Sequence, residues 1–269
     1  MRYRHTLLLF GIFLPTCLVL RALQLIFTID SATGFIKQQY SAISVIITLV
    51  IFAAIISVGI ISLATEGIKL QKKDINPSLA IFSFFTGCMF IYNAVASNSI
   101  VTAVAWYNTL LFALSLASAG VFIACAIKNV YSYKFPNISL IIPVFYFIIK
   151  LISVFVSTSQ LALVTENIFL IFANGSVLIF MFEFSKIENA VDEAPSIKKL
   201  FCFAILAIIF CLIYSLPKIL VYGASMSGKD LADALLTLVM GLFVLTYVIS
   251  NFKDTFFNKN IREAKHLAE

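Results

Sequence analysis

The chain has 269 residues, of which 61% are hydrophobic and 12% are charged, a composition that excludes an ordinary soluble domain and is typical of a polytopic membrane protein. The net charge of +6 does not indicate a nucleic-acid-binding protein, because the basic residues are spread between apolar runs instead of forming a basic stretch interleaved with aromatic residues. The five cysteines lie inside apolar runs without a CxxC pair, so neither a disulfide framework nor a zinc site is predicted.

Eight apolar runs are long enough to cross the roughly 30 Å of hydrocarbon in a bilayer. We predict spans at 7–27, 41–64, 79–97, 102–127, 138–157, 166–185, 200–222 and 231–251. The fold class is therefore an all-α polytopic bundle of eight transmembrane helices in residues 1–251. Residues 252–269 are predicted to form a cytoplasmic amphipathic tail that either lies on the inner leaflet or continues helix 8. Short likenesses between the two halves suggest a weak 4+4 parallel repeat, although apolar strings also resemble one another by chance.

The distribution of basic residues predicts the orientation of the chain. The N-terminus, the second, fourth and sixth loops and the tail hold Arg2, Arg4, Lys69, Lys72, Lys73, Lys128, Lys134, Lys186, Lys198, Lys199, Lys253, Lys259, Arg262 and Lys265. The alternate loops hold Lys37 and Lys229. Because cytoplasmic loops are enriched in Lys and Arg, we predict a multi-pass protein of the cytoplasmic (plasma) membrane with both termini in the cytoplasm.

Helix 1 carries a permanently charged residue, Arg21, inside its apolar run, and is followed by the polar turn Asp30–Gly34. A guanidinium does not lose its proton in hydrocarbon, so Arg21 must reach the headgroups, a carboxylate or a polar cavity. The stretch from Leu20-Arg21 to Asp30-Ser-Ala-Thr-Gly-Phe35 resembles a group of uncharacterised bacterial polytopic membrane proteins that share an Arg and then Asp-x-x-Thr-Gly-Phe at the end of the first span. The resemblance implies a bacterial cytoplasmic-membrane protein and carries over no catalytic residue.

Two further basic residues share the predicted outer half with Arg21: Lys150 in helix 5 and Lys218 near the end of helix 7. In one interpretation the three bases converge on an outer cavity that binds an anion. In the other, each base reaches lipid headgroups or pairs with an acid and only fixes helix packing. The candidate ligand-binding residues are Arg21, Lys150, Lys218, Asn93, Tyr92, Glu166 and Asp30.

Helix 6 contains Asn174-Gly175-Ser176 near its middle. This motif predicts either an unwound, substrate-binding segment or, more commonly, a close approach of two helices.

The absent motifs narrow the function. No Asp, Glu or His lies in the middle of a predicted span, which argues against a proton-coupled pump. Neither HExxH, a Walker loop nor GxSxG occurs, so we predict no enzymatic activity, no cofactor and no metal.

Two functions are the leading hypotheses, and a membrane enzyme comes third. The first is binding or transport of an anionic or amphipathic, lipid-like small molecule through an outer-half cavity, with membrane lipids as the surrounding partners and no nucleic acid. The second is a non-enzymatic sensor or assembly partner that acts on an unknown protein through the cytoplasmic loop 186–199 and the tail.

Overall fold

A computed structural model describes residues 3–29, 36–65, 68–70, 75–98, 106–131, 136–158, 165–189, 191 and 193–254. Within these residues eight α-helices are long and apolar enough to cross a membrane, which confirms the predicted fold class. They are α1 (Tyr3–Phe27), α2 (Ser41–Leu63), α3 (Pro77–Asn98), α4 (Trp106–Tyr131), α5 (Ile142–Thr158), α6 (Thr165–Glu188), α7 (Glu193–Tyr222) and α8 (Gly228–Asn251). Two three-residue strands, β1 (Ile68–Leu70) and β2 (Phe252–Asp254), and 3₁₀ turns at Gln38–Tyr40 and Asn137–Ile141 complete the described elements.

Most helix starts differ from the predicted spans by a few residues, as those of α7, α8 and α4 show. α7 begins at Glu193 and not at residue 200, and α8 begins at Gly228 and not at residue 231. Ser227 caps α8, since its side chain accepts a hydrogen bond from the Asp230 amide at 3.2 Å. The predicted start of span 4 at residue 102 lies outside the described residues, in which α4 begins at Trp106. α7 and α8 begin earlier than predicted because their first turns contain charged and polar residues. A prediction based on long apolar runs does not include such turns.

Successive helices run in opposite directions, so the bundle has two ends. At the end where α1 begins, the N-terminal end, Thr6 Oγ1 lies 2.7 Å from Thr65 Oγ1 and β1 pairs antiparallel with β2. At the other end, the opposite end, the Tyr222 hydroxyl donates to the Leu25 carbonyl at 2.9 Å. The N-terminal end is the one predicted to face the cytoplasm.

Helix α7 forms the centre of the bundle. In its most apolar stretch 83% of the residues are buried, compared with 22% in α1, because other helices surround it. It packs on α1, α2, α6 and α8. The close approach to α8 requires glycine at position 241, where a Cβ atom would lie 2.9 Å from Cys211 Cβ.

The packing bears on the suggested 4+4 repeat. α3 packs on α4 as α7 packs on α8, and α1 packs on α2 as α5 packs on α6. However, α6 lies along α7, whereas α2 packs on α1 and α7 and not closely on α3. The repeat therefore stays a prediction.

The first residues of the predicted tail form a strand and not a helix. Phe252 is 3% exposed, and its ring centroid lies 5.3 Å from that of Phe201 and 6.2 Å from that of Tyr247. Burial of this ring against α7 and α8 favours extended backbone that pairs with β1. The rest of the predicted amphipathic tail, 255–269, lies outside the described residues.

Candidate functional site

Four polar side chains from three helices meet inside the bundle. The Lys150 ammonium donates to both carboxylate oxygens of Asp233, with Nζ 2.6 Å from Oδ1 and 2.7 Å from Oδ2. Asn93 donates from Nδ2 to Asp233 Oδ1 at 2.6 Å, and the Tyr146 hydroxyl donates to Asn93 Oδ1 at 3.2 Å. We call these four residues the Lys150 site.

Helix geometry brings these side chains to a common depth. Tyr146 and Lys150 are four residues apart and therefore lie on the same face of α5. Asn93 lies five residues before the end of α3, and Asp233 lies five residues after the start of α8. At 1.5 Å per residue, both lie about 7.5 Å from the opposite end of the bundle.

The Lys150 site is largely shielded from its surroundings. The side chain of Lys150 is 10% exposed and that of Asp233 is 13% exposed. Removing two charges from water is costly, and the site offsets this cost with a bidentate contact and with the amide of Asn93. Ionisable residues inside membrane spans are rare and commonly mark functional sites.

A small cavity adjoins the Lys150 site. Its volume is about 10 Å³, which is about the room that one water molecule needs. Lys150, Asp233 and Asn174 contribute polar groups to its wall, and Phe147 and Leu236 contribute apolar ones. Asn174 of α6 is 4% exposed, and its Nδ2 has no hydrogen-bond partner among the described residues. The cavity therefore offers a hydrogen-bond donor beside the ion pair.

The Asn174-Gly175-Ser176 motif has a different role from either prediction. α6 is helical through all three residues, so the segment is not unwound. A Cβ atom at Gly175 would meet nothing within 4 Å, so a close helix approach does not require glycine at this position. Asn174 instead forms part of the cavity wall.

Arg21 belongs to a separate polar cluster, which we call the Arg21 cluster. Its Nη1 donates to Gln24 Oε1 at 2.6 Å, and its Cζ lies 4.5 Å from the centroid of the Phe169 ring on α6. Gln24 Nε2 in turn lies 2.9 Å from Ser44 Oγ and 2.8 Å from Thr48 Oγ1 on α2. Arg21 is only 2% exposed, and the cluster ties α1 to α2.

The other predicted site residues lie apart from Lys150. Lys218 donates to the Tyr214 hydroxyl at 3.4 Å, with Nζ 5.1 Å from the centre of that ring. Tyr92 is 41% exposed, in contrast to its buried neighbour Asn93. Neither Arg21 nor Lys218 lines the cavity at Lys150, so one cavity shared by the three bases stays a prediction.

The side chains of the two predicted acids, Asp30 and Glu166, lie outside the described part of the structure. Asp30, with the rest of the Asp-x-x-Thr-Gly-Phe motif, lies outside the described residues, and only the backbone of Glu166 is described. Where the structure is described, the carboxylate that pairs with Lys150 is Asp233, which was not among the predicted site residues.

Asp233 was missed because span 8 was predicted to begin at residue 231, which put this acid at the membrane edge. α8 begins earlier, so Asp233 lies within the helix and against Lys150. The sequence argument against a proton-coupled pump concerned acids in the middle of a span, and Asp233 lies near one end of α8. Its contact with Lys150 inside the bundle nevertheless makes proton coupling a hypothesis to consider. The i, i+4 spacing of Tyr146 and Lys150 was a visible signal for a polar face on α5.

No protein-family model, curated protein or solved structure matches this chain. The fold and composition nevertheless define the class, which is a multi-pass integral membrane protein. Among the described residues no group of three His, Cys, Asp or Glu side chains comes together in a way that could hold a metal ion. The resemblance at Arg21 to Phe35 stays a prediction.

Proposed function

We propose that this membrane protein binds a small anionic or amphipathic solute at the Lys150 site and carries it across the cytoplasmic membrane. The observation that supports the proposal is the bidentate contact of the Lys150 ammonium with a carboxylate inside the bundle. A solute carboxylate would make the same two hydrogen bonds. Asp233 thus occupies the position that the anionic group of the solute would take.

The surroundings of Lys150 fit a solute with one charged and one apolar part. The cavity wall combines hydrogen-bonding groups with the apolar side chains of Phe147, Val177 and Leu236. Binding sites for small molecules commonly combine an apolar wall with a few polar groups that fix orientation.

The cavity admits a solute only if Asp233 withdraws from Lys150, since it has room for about one water molecule. The packing favours such a movement. α5 packs on α4 and α6, whereas α8 packs on α3 and α7, and α5 and α8 do not pack closely on each other. The ion pair therefore bridges two helices that can part without breaking an extensive interface.

The orientation of transport follows from the predicted topology. With both termini in the cytoplasm, the opposite end of the bundle faces outward, and Asn93 and Asp233 are about 7.5 Å from it. We propose that the solute reaches Lys150 from the outer side.

Ligand-dependent thermal stability tests the proposal with simple anions that stand in for the solute. Purified protein is heated with sodium acetate, sodium octanoate, inorganic phosphate or a lysophospholipid, each over a range of concentrations. We expect octanoate to raise the Tm, since binding at 100 times the Kd adds about 2.7 kcal/mol of stability. Lys150→Gln should remove the response, whereas Lys199→Gln, a substitution of an exposed lysine on α7, should keep it. A wild-type protein that responds to none of these anions, or a Lys150→Gln protein that responds like wild type, would contradict the proposal.

A second function, that of a sensor or assembly partner, has one observation in its favour. β1 and β2 join the α2–α3 connection to the start of the tail at the end predicted to be cytoplasmic. On the other hand, residues 186–188 belong to α6 and 193–199 to α7, which leaves little of the predicted 186–199 loop for a partner. Co-purification of a second protein that is lost when residues 255–269 are removed would favour this function.

A further inference from the structure

Building on the proposed function, we infer that the Lys150 site binds a monocarboxylate together with one proton, which is received by Asp233. The geometry that carries the inference is a single ammonium group shared between an internal carboxylate and the space that an external one would enter. Solute and proton would then cross the membrane as a neutral pair.

Charge balance in the bundle interior leads to this coupling. Lys150 and Asp233 together are neutral, and the other members of the site, Asn93 and Tyr146, carry no charge. A solute carboxylate that displaces Asp233 from Lys150 adds one negative charge in a region of low dielectric constant. An uncompensated buried charge is strongly unfavourable, and one proton from the solvent restores neutrality.

Asp233 is the group that can take up this proton. Around it the structure places Lys150 and Tyr146 of α5, Cys211 of α7 across the cavity, and Lys229 one turn earlier on α8, close enough to interact electrostatically. α3 and α6 contribute amides, which do not titrate. The lysines already carry their protons, and neutral phenol and thiol groups have none to gain. The carboxylate that has lost its ammonium partner is left as the acceptor.

The site can hold the protonated form of Asp233. Its carbonyl oxygen can still accept the hydrogen bond from Asn93 Nδ2, and its new hydroxyl group can donate to a water molecule in the adjoining cavity. Asn93 and a water molecule therefore satisfy the protonated acid, and the only bond formed is the O–H bond of its carboxyl group, with the proton taken from the solvent.

The same charge balance at the Lys150 site favours one class of solute. A single ammonium compensates one negative charge, so a monocarboxylate fits better than a phosphate dianion. The apolar residues of the cavity wall, Phe147 and Leu236, favour a carboxylate that carries a hydrocarbon chain.

Proton uptake measured during binding tests the inference. Full-length protein in detergent is placed in weakly buffered solution with a pH indicator dye, and sodium octanoate adjusted to the same pH is added. We expect uptake of about one proton for each octanoate bound. Octanoate should then bind more weakly as the pH rises, by about tenfold in Kd per pH unit across the range in which the proton is taken up. Octanoate added to detergent alone, and to Lys150→Gln, gives the background signal of the dye.

Two variants on α8 make the measurement specific. Asp233→Asn should bind octanoate without proton uptake and with a Kd that does not change with pH. Asp230→Asn is the matched control, because Asp230 is an exposed acid on the first turn of the same helix, and it should behave like wild type. If Asp233→Asn does not fold, the proton count of the wild-type protein still decides the matter.

The possible results separate the inference from the proposed function. Octanoate binding without proton uptake, or binding of inorganic phosphate in place of octanoate, would overturn the inference and leave anion binding in place. Binding of neither anion to wild type would overturn both. Proton uptake that persists in Asp233→Asn would assign the proton to another group and overturn the inference.

Discussion

The two ends of the bundle each contain an ion pair between helices, and the two pairs differ in the exposure of the lysine. At the N-terminal end, Lys128 of α4 contacts Glu188 of α6, with Nζ 2.9 Å from Oε2, and the lysine side chain is 32% exposed. Toward the opposite end, Lys150 contacts Asp233 through both carboxylate oxygens and is 10% exposed. A partly exposed lysine keeps part of its hydration when its partner is lost, whereas a buried charge depends on its partner. Two chemically similar ion pairs are therefore expected to differ in their effect on stability. Of these two, the Lys150–Asp233 pair is the one suited to coupled binding of a solute and a proton.

Removal of one buried charge should have the largest effect. We expect Lys150→Leu or Asp233→Leu to lower the free energy of unfolding by about 3–5 kcal/mol, because each leaves an uncompensated charge inside the bundle. The double variant should regain most of the loss. Unfolding by SDS in mixed micelles measures the free energy of unfolding of all three variants. A double variant no more stable than the single ones would contradict the view that Lys150 and Asp233 compensate each other's charge.

In the Arg21 cluster the buried base is bonded to the amide of Gln24 and not to a carboxylate. Breaking this cluster should have an intermediate effect on the free energy of unfolding. Gln24→Leu removes the acceptor of Arg21 and the hydrogen bonds from Gln24 to α2. At about 0.6 kcal/mol for each hydrogen bond between membrane helices, we expect a loss of about 1–2 kcal/mol. Thr16→Val is the control, since exposed Thr16 bonds to the carbonyl of Ile12 in its own helix, and it should change the same unfolding curve very little.

A single peripheral hydrogen bond of the Lys150 site should matter less. Tyr146→Phe removes the donor to Asn93 Oδ1 at 3.2 Å and keeps the ring that packs on Phe90 at 4.9 Å. We expect a loss of about 0.6 kcal/mol in the free energy of unfolding. A loss as large as that of Lys150→Leu would mean that the hydroxyl, and not the ion pair, holds the site together.

The pair with the partly exposed lysine, Lys128–Glu188, should give the smallest effect. Lys128→Gln should lower stability by about 0.5 kcal/mol or less, and added salt should reduce the difference further because solvent ions screen exposed charges. The effect of Lys150→Leu should be insensitive to salt. Equal salt dependence at the two positions would show that the Lys150 site is open to solvent.

The fold was predictable from the sequence because each span is a local feature of about 20 apolar residues. The Arg21 cluster was partly predictable for the same reason, since Arg21 and Gln24 lie one helical turn apart. The contact of Lys150 with Asp233 joins residues 83 positions apart, and that of Asn93 with Asp233 joins residues 140 apart. No helical periodicity links such residues, so the packing of α3, α5 and α8 had to be known before the Lys150 site could be recognised. The β1–β2 pairing was missed for the same reason.

The most direct test of the account is chemical rescue of Asp233→Ala by acetate. This variant removes the internal carboxylate and leaves a space beside the Lys150 ammonium that an acetate ion can fill. We expect acetate to restore much of the lost free energy of unfolding in Asp233→Ala, and to have little effect on the double variant Lys150→Leu/Asp233→Ala. If acetate left Asp233→Ala unchanged, or stabilised the double variant equally, Lys150 would not be a site for an external carboxylate.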